Sequence, residues 1–311
     1  MDERLRSSGL RQADAMGVDP VRIVQNRGGS ASTRDVLEHC TQWALREALR
    51  LGRLERVARG VVVLPGRPEP LRIAAELRGV VSHLSAAELY RLDMVNAPEA
   101  VHVTVPHGGS RSTPAGVVVH RTRHVEDDPR YPGRTPILRT VLDCATALPF
   151  ADALAVADSA LKFGLVTRSE LLTGAARSSG PGRARRLRVA THADERAATA
   201  FESALRGILL EAGITTFVPQ YEIRAGRLLL HADLADPSAG VVIEADSFEF
   251  HGGRADFRRD CERYDELVAA GWVVLRLPWE LVMFDPPEVV RLVRAAMTGG
   301  RPGSSERTVP T

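Results

Sequence analysis

The chain has 311 residues, 44% of them hydrophobic and 26% charged, enough for two or three domains with ordinary cores. No apolar run approaches the roughly 18 to 20 residues of a bilayer span, and the first residues lack the order of a secretory signal, so a cytoplasmic location without a membrane partner is expected. Cys40, Cys144 and Cys261 form no C-x-x-C pair, which speaks against a disulfide framework or a structural zinc site and for free, mostly buried thiols.

The net charge of +2 hides an uneven distribution. From Ala198 to Ala295 there are 16 acidic residues against 10 arginines, whereas the stretch up to Ala197 carries about +7. A basic front suits phosphate contacts, and acids behind it suit either a metal site or a solvated surface. Lys162 is the only lysine.

Residues 1–27 are polar without a sustained period and read as a flexible N-terminus. Ser32 or Thr33 caps a short helix through Cys40, and Thr41 caps a second, Gln42 to Leu51, stopped by Gly52. Arg53 to Leu64, closed by Pro65-Gly66, reads as a two-stranded wing, so 28–70 is expected to be a winged helix-turn-helix. In such a module the second helix enters the major groove. Gln42, Arg46 and Arg50 recur at i, i+4 and i+8, opposite Trp43, Leu45, Ala48 and Leu49, while Arg53, Arg56 and Arg59 on the wing would lie near phosphates. The duller alternative is a surface helix with outward arginines.

Residues 71–176 are expected to form a small α/β domain. Leu71 to Leu92 is helical in pattern with Ser85 capping Ala86 to Leu92, and Ser82 and His83 read as a cap and a core histidine. Strands follow at Ala100 to Pro106 and Gly116 to Arg121, then helices from Thr140 to Leu148, from Ala151 to Phe163 and from the cap Thr167 through Leu172. Residues 177–197 read as a flexible basic linker and 296–311 as a disordered tail.

The stretch Gly29-Ser30-Ala31-Ser32 through Arg53-Leu54-Glu55-Arg56-Val57-Ala58-Arg59-Gly60-Val61 resembles the winged-helix domain of AbiEi-type antitoxins, DNA-binding regulators that repress their own operons. Val81-Ser82-His83-Leu84-Ser85-Ala86-Ala87, Val101-His102-Val103-Thr104-Val105-Pro106 and Thr140-Val141-Leu142-Asp143-Cys144-Ala145 are similar to the α/β domain that follows it there. This likeness, over about Gly28 to Gly174, implies double-stranded DNA as a partner, with a homodimer and a cognate toxin as further candidates.

Residues 198–295 carry the candidate chemistry. A metal nuclease needs carboxylates held together on rigid strands, so that a divalent ion can bind a phosphate oxygen and acidify a water. A helix from about Ala198 to Ala212 brings Glu202, a strand from Arg227 to Leu234 brings Asp233, and a turn at Asp236 to Gly240 leads to a strand from Val241 to Asp246. Glu244 and Asp246, two apart, share a face, and His251 follows in a loop. The helix Asp256 to Ala270 is expected to bury Phe257, Cys261, Tyr264 and Val268 and to expose Arg258, Arg259, Asp260 and Arg263. Trp272 to Leu277 reads as a buried strand before a last helix near Trp279. The sum is an α+β multidomain chain ending in an α/β/α layer arrangement with a mixed sheet.

The segments Glu244-Ala245-Asp246-Ser247-Phe248-Glu249-Phe250-His251-Gly252, Arg259-Asp260-Cys261-Glu262-Arg263-Tyr264 and Gly271-Trp272-Val273-Val274-Leu275-Arg276 resemble a large actinobacterial domain family related to very short patch repair endonucleases, and so to the PD-(D/E)XK, restriction-endonuclease-like superfamily. The resemblance covers about Thr199 to Val290. It implies a Mg²⁺-dependent (or Mn²⁺-dependent) DNA endonuclease in which Asp233 and Glu244 ligate the ion, Glu202 supports it through water, and His251 assists proton transfer. Asp246 would stand at or near the place where many members keep lysine, and this domain has none. His251 or an arginine such as Arg276 takes that role, or the fold is catalytically inactive and the chain is an antitoxin-like transcriptional regulator.

Overall fold

The computed structural model describes residues 18–108, 113–226, 228–246 and 254–299, a mixed α+β chain of thirteen helices and ten strands in three sheets. Two compact units emerge, one of residues up to Tyr90 with Pro98–Thr140, the other of Arg91–Ala97 with Val141 onward.

The first unit opens with α1 (Pro20–Asn26), inside the segment expected to be flexible. Asp19 caps it by accepting the Val21 N–H, Pro20 fixes the first turn, and Ile23 and Val24 are buried. Two buried side chains are too few to show as a period, which is why the helix was not legible in the sequence. β1 (Ser30–Ser32) leads to α2 (Thr33–Leu37), whose cap Ser32 accepts the Asp35 N–H, and Thr41 does the same for Ala44 in α3 (Gln42–Arg50). β2 (Glu55–Ala58) and β3 (Val61–Val63) turn at Gly60, whose φ of 77° a side chain would resist. The sheet order is β1-β3-β2, all antiparallel, over a core of Val24, Val36, Leu45, Ala48, Leu54 and Val62.

The helix expected from Leu71 to Leu92 is two helices with a strand between them: α4 (Glu69–Glu76), β4 (Val80–Val81) and α5 (His83–Leu89). Gly79 lies so close to the Thr104 carbonyl that a Cβ there would collide with it, and the β-branched pair after it adds to a sheet edge. Ser82, not Ser85, stands at the N-cap of α5; Ser85 is buried, donating to the Ala100 carbonyl and accepting the His102 N–H at 2.9 Å. β5 (Val101–Pro106) lies between β4, antiparallel, and β6 (Val117–Thr122), parallel.

α6 (Ile137–Ala147) spans the division between units, and α7 (Phe150–Lys162) is buried on nearly every side. Thr167 and Glu170 form a reciprocal capping box at the start of α8 (Arg168–Arg177). α9 (Arg183–His192) stands where a flexible linker was expected. Its arginines are tethers: Arg185 donates to the Thr146 and Leu148 carbonyls, Arg186 to that of Leu142, and Arg188 lies 3.9 Å from the Phe150 ring centre.

α10 (Ala200–Glu211) leads to β7 (Val218–Ala225), a strand the sequence reading omitted, then β8 (Leu228–Asp236) and β9 (Val241–Asp246). α11 (Arg254–Ala269), β10 (Val273–Pro278), α12 (Trp279–Phe284) and α13 (Pro286–Gly299) complete the chain, α13 running four residues into the expected tail. The sheet is mixed, in the order β10-β9-β8-β7, with only β10 and β9 parallel. α10, α12 and α13 bury Leu205, Leu209, Val282, Val289 and Val293 with Leu234, Ile243 and Leu277 of the sheet, while Leu267 of α11 packs with Ile223, Ala232 and Val242. Among the described residues no helix is long and apolar enough to cross a membrane.

Candidate functional site

Of the acidic residues predicted for catalysis, Asp233 and Glu244 stand where β8 and β9 part. Their last paired residues are Leu234 and Ile243; one step beyond, Asp233 Oδ2 accepts the Ala245 N–H at 2.8 Å. Burial, then the negative charge of Glu244, pushes the Asp233 carboxyl up to about 7, with Glu202 adding to the rise and Arg263 opposing it. Glu244 is also raised, by burial above all, although Arg263 Nη2 holds its two oxygens at 2.8 and 3.0 Å. Asp246 is held by Arg276 at 2.7 Å. Glu244, Asp246, Arg263 and Arg276 line one cleft of about 160 Å³ with Tyr264 and Leu267.

Glu202 is 5% exposed and fully engaged. Its Oε1 accepts from Thr199 Oγ1 at 3.0 Å, and its Oε2 from the Ala198 N–H at 3.0 Å and Gln220 Nε2 at 2.9 Å. Arg206, one turn after Glu202 on α10, turns instead to Asp158 at 2.7 Å in a buried ion pair. Gln220 links Glu202 to this centre: its Nε2 also lies 3.5 Å from Asp233 Oδ1, and its backbone sits at φ 48°, strained for a side-chain-bearing residue. His251 lies outside the described residues.

Two residues here escaped the sequence reading. Gln220 carried no signal. Arg263 was placed on the outer face of α11 with Cys261, Tyr264 and Val268 inward, and the phase is the reverse: those three are exposed, Leu267 is buried, and Arg263, one turn before Leu267, reaches Glu244 and the His231 carbonyl. The spacing Arg263 to Leu267 was the available clue. The lone lysine is no substitute, since Lys162 bonds Asp93 at 2.9 Å.

On α3, Gln42, Arg46 and Arg50 are exposed as expected, but Trp43, placed on the packed side, is 74% exposed. Arg50 is bound to Glu47 at 2.6 Å and Arg53 to Asp19 at 2.6 Å. Arg56 and Arg59 are exposed on the β2–β3 hairpin, and among the described residues they and Arg46 have no acidic partner.

Among the described residues, no three carboxylates bring oxygens within 4.8 Å of one another; the set of three metal-type ligands that does is His83, His102 and His120. Burial lowers the His102 pKa and, with the nearby His102, brings His120 down to about 4.

No protein-family model matches the chain. Over 273 residues it is 30% identical to the "Uncharacterized protein Rv2248" of Mycobacterium tuberculosis, an alignment covering 83% of this chain and 100% of that protein. The same figures hold for "Uncharacterized protein MT2308" from a second strain of that species. The chain belongs to the family of these proteins. Among solved structures it is similar to the RV2827C protein from Mycobacterium tuberculosis, with a TM-score of 0.28 and 16% identity over 66% of this chain and 87% of that one, a likeness too low to inform fold or site.

Proposed function

We propose that the chain is a cytoplasmic DNA-binding protein with a winged helix-turn-helix in residues 28–70 and a restriction-endonuclease-like domain from residue 198 that cleaves phosphodiester bonds with a divalent ion. The observation that carries this reading is the placement of Asp233 beside Glu244 where β8 and β9 part, a half-buried and strained arrangement in which burial first and the Glu244 charge second raise the Asp233 pKa to about 7. A cation relieves that strain. The donor set is made of hard carboxylate oxygens and fits Mg²⁺ or Mn²⁺, held by Asp233 and Glu244 with Glu202 behind Gln220. The bound ion would polarise a phosphate oxygen and acidify a water.

The chain's own groups then have defined tasks. Arg263 leaves the Glu244 carboxylate for a phosphate oxygen, exchanging one anion for another across the same cleft. Arg276, bonded to Asp246, supplies fixed positive charge where the missing lysine would stand. Gln220 keeps Asp233 oriented. With supercoiled plasmid and Mg²⁺, Glu244→Ala and Asp233→Ala are expected to nick at least about a hundredfold more slowly than wild type. Equal cleavage by all three proteins removes the hydrolase.

A second reading rests on the arginine pairs themselves: Arg263 and Arg276 neutralise Glu244 and Asp246 from within, as in a retired site. The chain is then an antitoxin-like regulator acting on double-stranded DNA, alone, as a homodimer or with a cognate toxin. Sequence-selective mobility shifts without a calorimetric Mg²⁺ isotherm favour it.

A further inference from the structure

We propose that His83, His102 and His120 form a binding site for one divalent first-row transition ion of the zinc class, separate from the acidic cleft. The backbone builds the site. In the parallel pair β5–β6, Thr104 stands opposite His120, and His102, two residues before Thr104, shares its face. All three project to one side of the sheet. α5 brings His83 there, and each histidine presents a ring nitrogen within 4.8 Å of the other two. His102 Nδ1 and His120 Nε2 are already 3.0 Å apart, and the His83 and His120 rings stack with centres 3.5 Å apart.

Two further observations point to a ligand. His83 is held at φ 52° at the first residue of α5, a left-handed backbone that strains a non-glycine residue. Ser82 Oγ, 2.9 Å from His83 Nδ1, fixes the rotation of that ring, the service an outer partner gives a metal-bound histidine. In addition, Thr104 Oγ1 is buried on this face without a hydrogen-bond partner among the described residues, a place that water carried by an ion would fill.

Donor chemistry selects the ion. Three imidazoles favour zinc-like cations over Mg²⁺, which prefers oxygen. Zinc–nitrogen bonds of about 2.0–2.1 Å require ligating nitrogens roughly 3.3 Å apart, so a closure of at most about 1.5 Å by ring rotation completes the set. The ion replaces the His102–His120 hydrogen bond, and because both rings are only half-buried the fourth position is left to water.

The test uses the full chain, dialysed against Zn²⁺ for metal analysis and titrated with Co²⁺, whose four-coordinate complexes absorb strongly in the visible. One equivalent per chain and that absorption are expected. His102→Ala and His120→Ala should each weaken binding by more than the roughly 10- to 100-fold that loss of an outer partner costs, while Asp233→Ala and Glu244→Ala keep both signals. Wild type that binds no equivalent overturns the site whether or not the histidine variants fold. So does a Co²⁺ signal that disappears with the acidic variants and survives in the histidine ones.

Discussion

At Asp233 a half-buried carboxyl is raised to about 7, and the sign of that shift can be followed through folding. In the unfolded chain it loses its proton near pH 4; in the folded chain it keeps the proton until about pH 7. Between those values the folded state binds more protons, so this residue's contribution to stability is greatest below about pH 4 and falls as pH rises through 7. Asp233→Asn should therefore match wild type in thermal unfolding near pH 4 and exceed it above pH 7, by on the order of 2 kcal/mol. Mg²⁺ at pH 8 should close that gap by stabilising wild type alone. A difference between the proteins that ignores pH would mean the carboxyl is ordinary. Gly207 makes a second test at this scale. A Cβ there would lie 2.6 Å from Ala151 Cα, so Gly207→Ala meets backbone that cannot yield. Alanine's helix preference of about 1 kcal/mol is outweighed by overpacking of about 1–3 kcal/mol, and denaturant unfolding should show a net loss.

Among the elements, α3 and the β2–β3 hairpin separate committed from available charge. Among the described residues Arg46, Arg56 and Arg59 have no acid to leave, whereas Arg50 and Arg53 must give up Glu47 and Asp19 before meeting a phosphate. Alanine at each of the first three should lower the slope of log affinity against log salt by about 1, and at Arg50 or Arg53 by less. Equal slopes for all five would mean that this is not the face that meets DNA. The caps Ser32, Thr41 and Thr167 were readable because one hydroxyl before a helix has one local job, whereas Thr199 was passed over. β7 was not, because Pro219 and the left-handed Gln220 break its alternation, and its pairing with β8 is fixed by partners rather than by its own residues. α9 looked like a linker because the value of Arg185 and Arg186 lies in carbonyls some forty residues earlier in the chain.

Across the whole molecule, the order of helices and strands from residue 198 onward was legible apart from β7 and the division of the last helix into α12 and α13, since hydrophobic period sets it locally. The candidate site was legible in its acids and in Arg276, and illegible in Arg263 and Gln220. Asp233, Glu244 and Asp246 stand on strands whose facing follows from spacing, but Arg263 depends on the rotation of α11 about its axis, which the run Cys261, Tyr264, Val268 misstates. The histidine trio was hidden for a related reason: His83, His102 and His120 are separated by long intervals, and only a parallel strand pair with a helix beside it brings them together.

One feature of connectivity bears on how this protein can be handled. The backbone leaves the first unit after Tyr90, contributes Arg91–Ala97 to the second, returns at Pro98 and departs again after Thr140. Asp93, on that brief excursion, is stitched to Ser159 by its N–H and to Lys162 by its carboxylate. Severing the chain at any single point between the units thus leaves a thread still woven through both, so a clean dissection into an N-terminal piece and a C-terminal remainder would strip the second of a piece it needs.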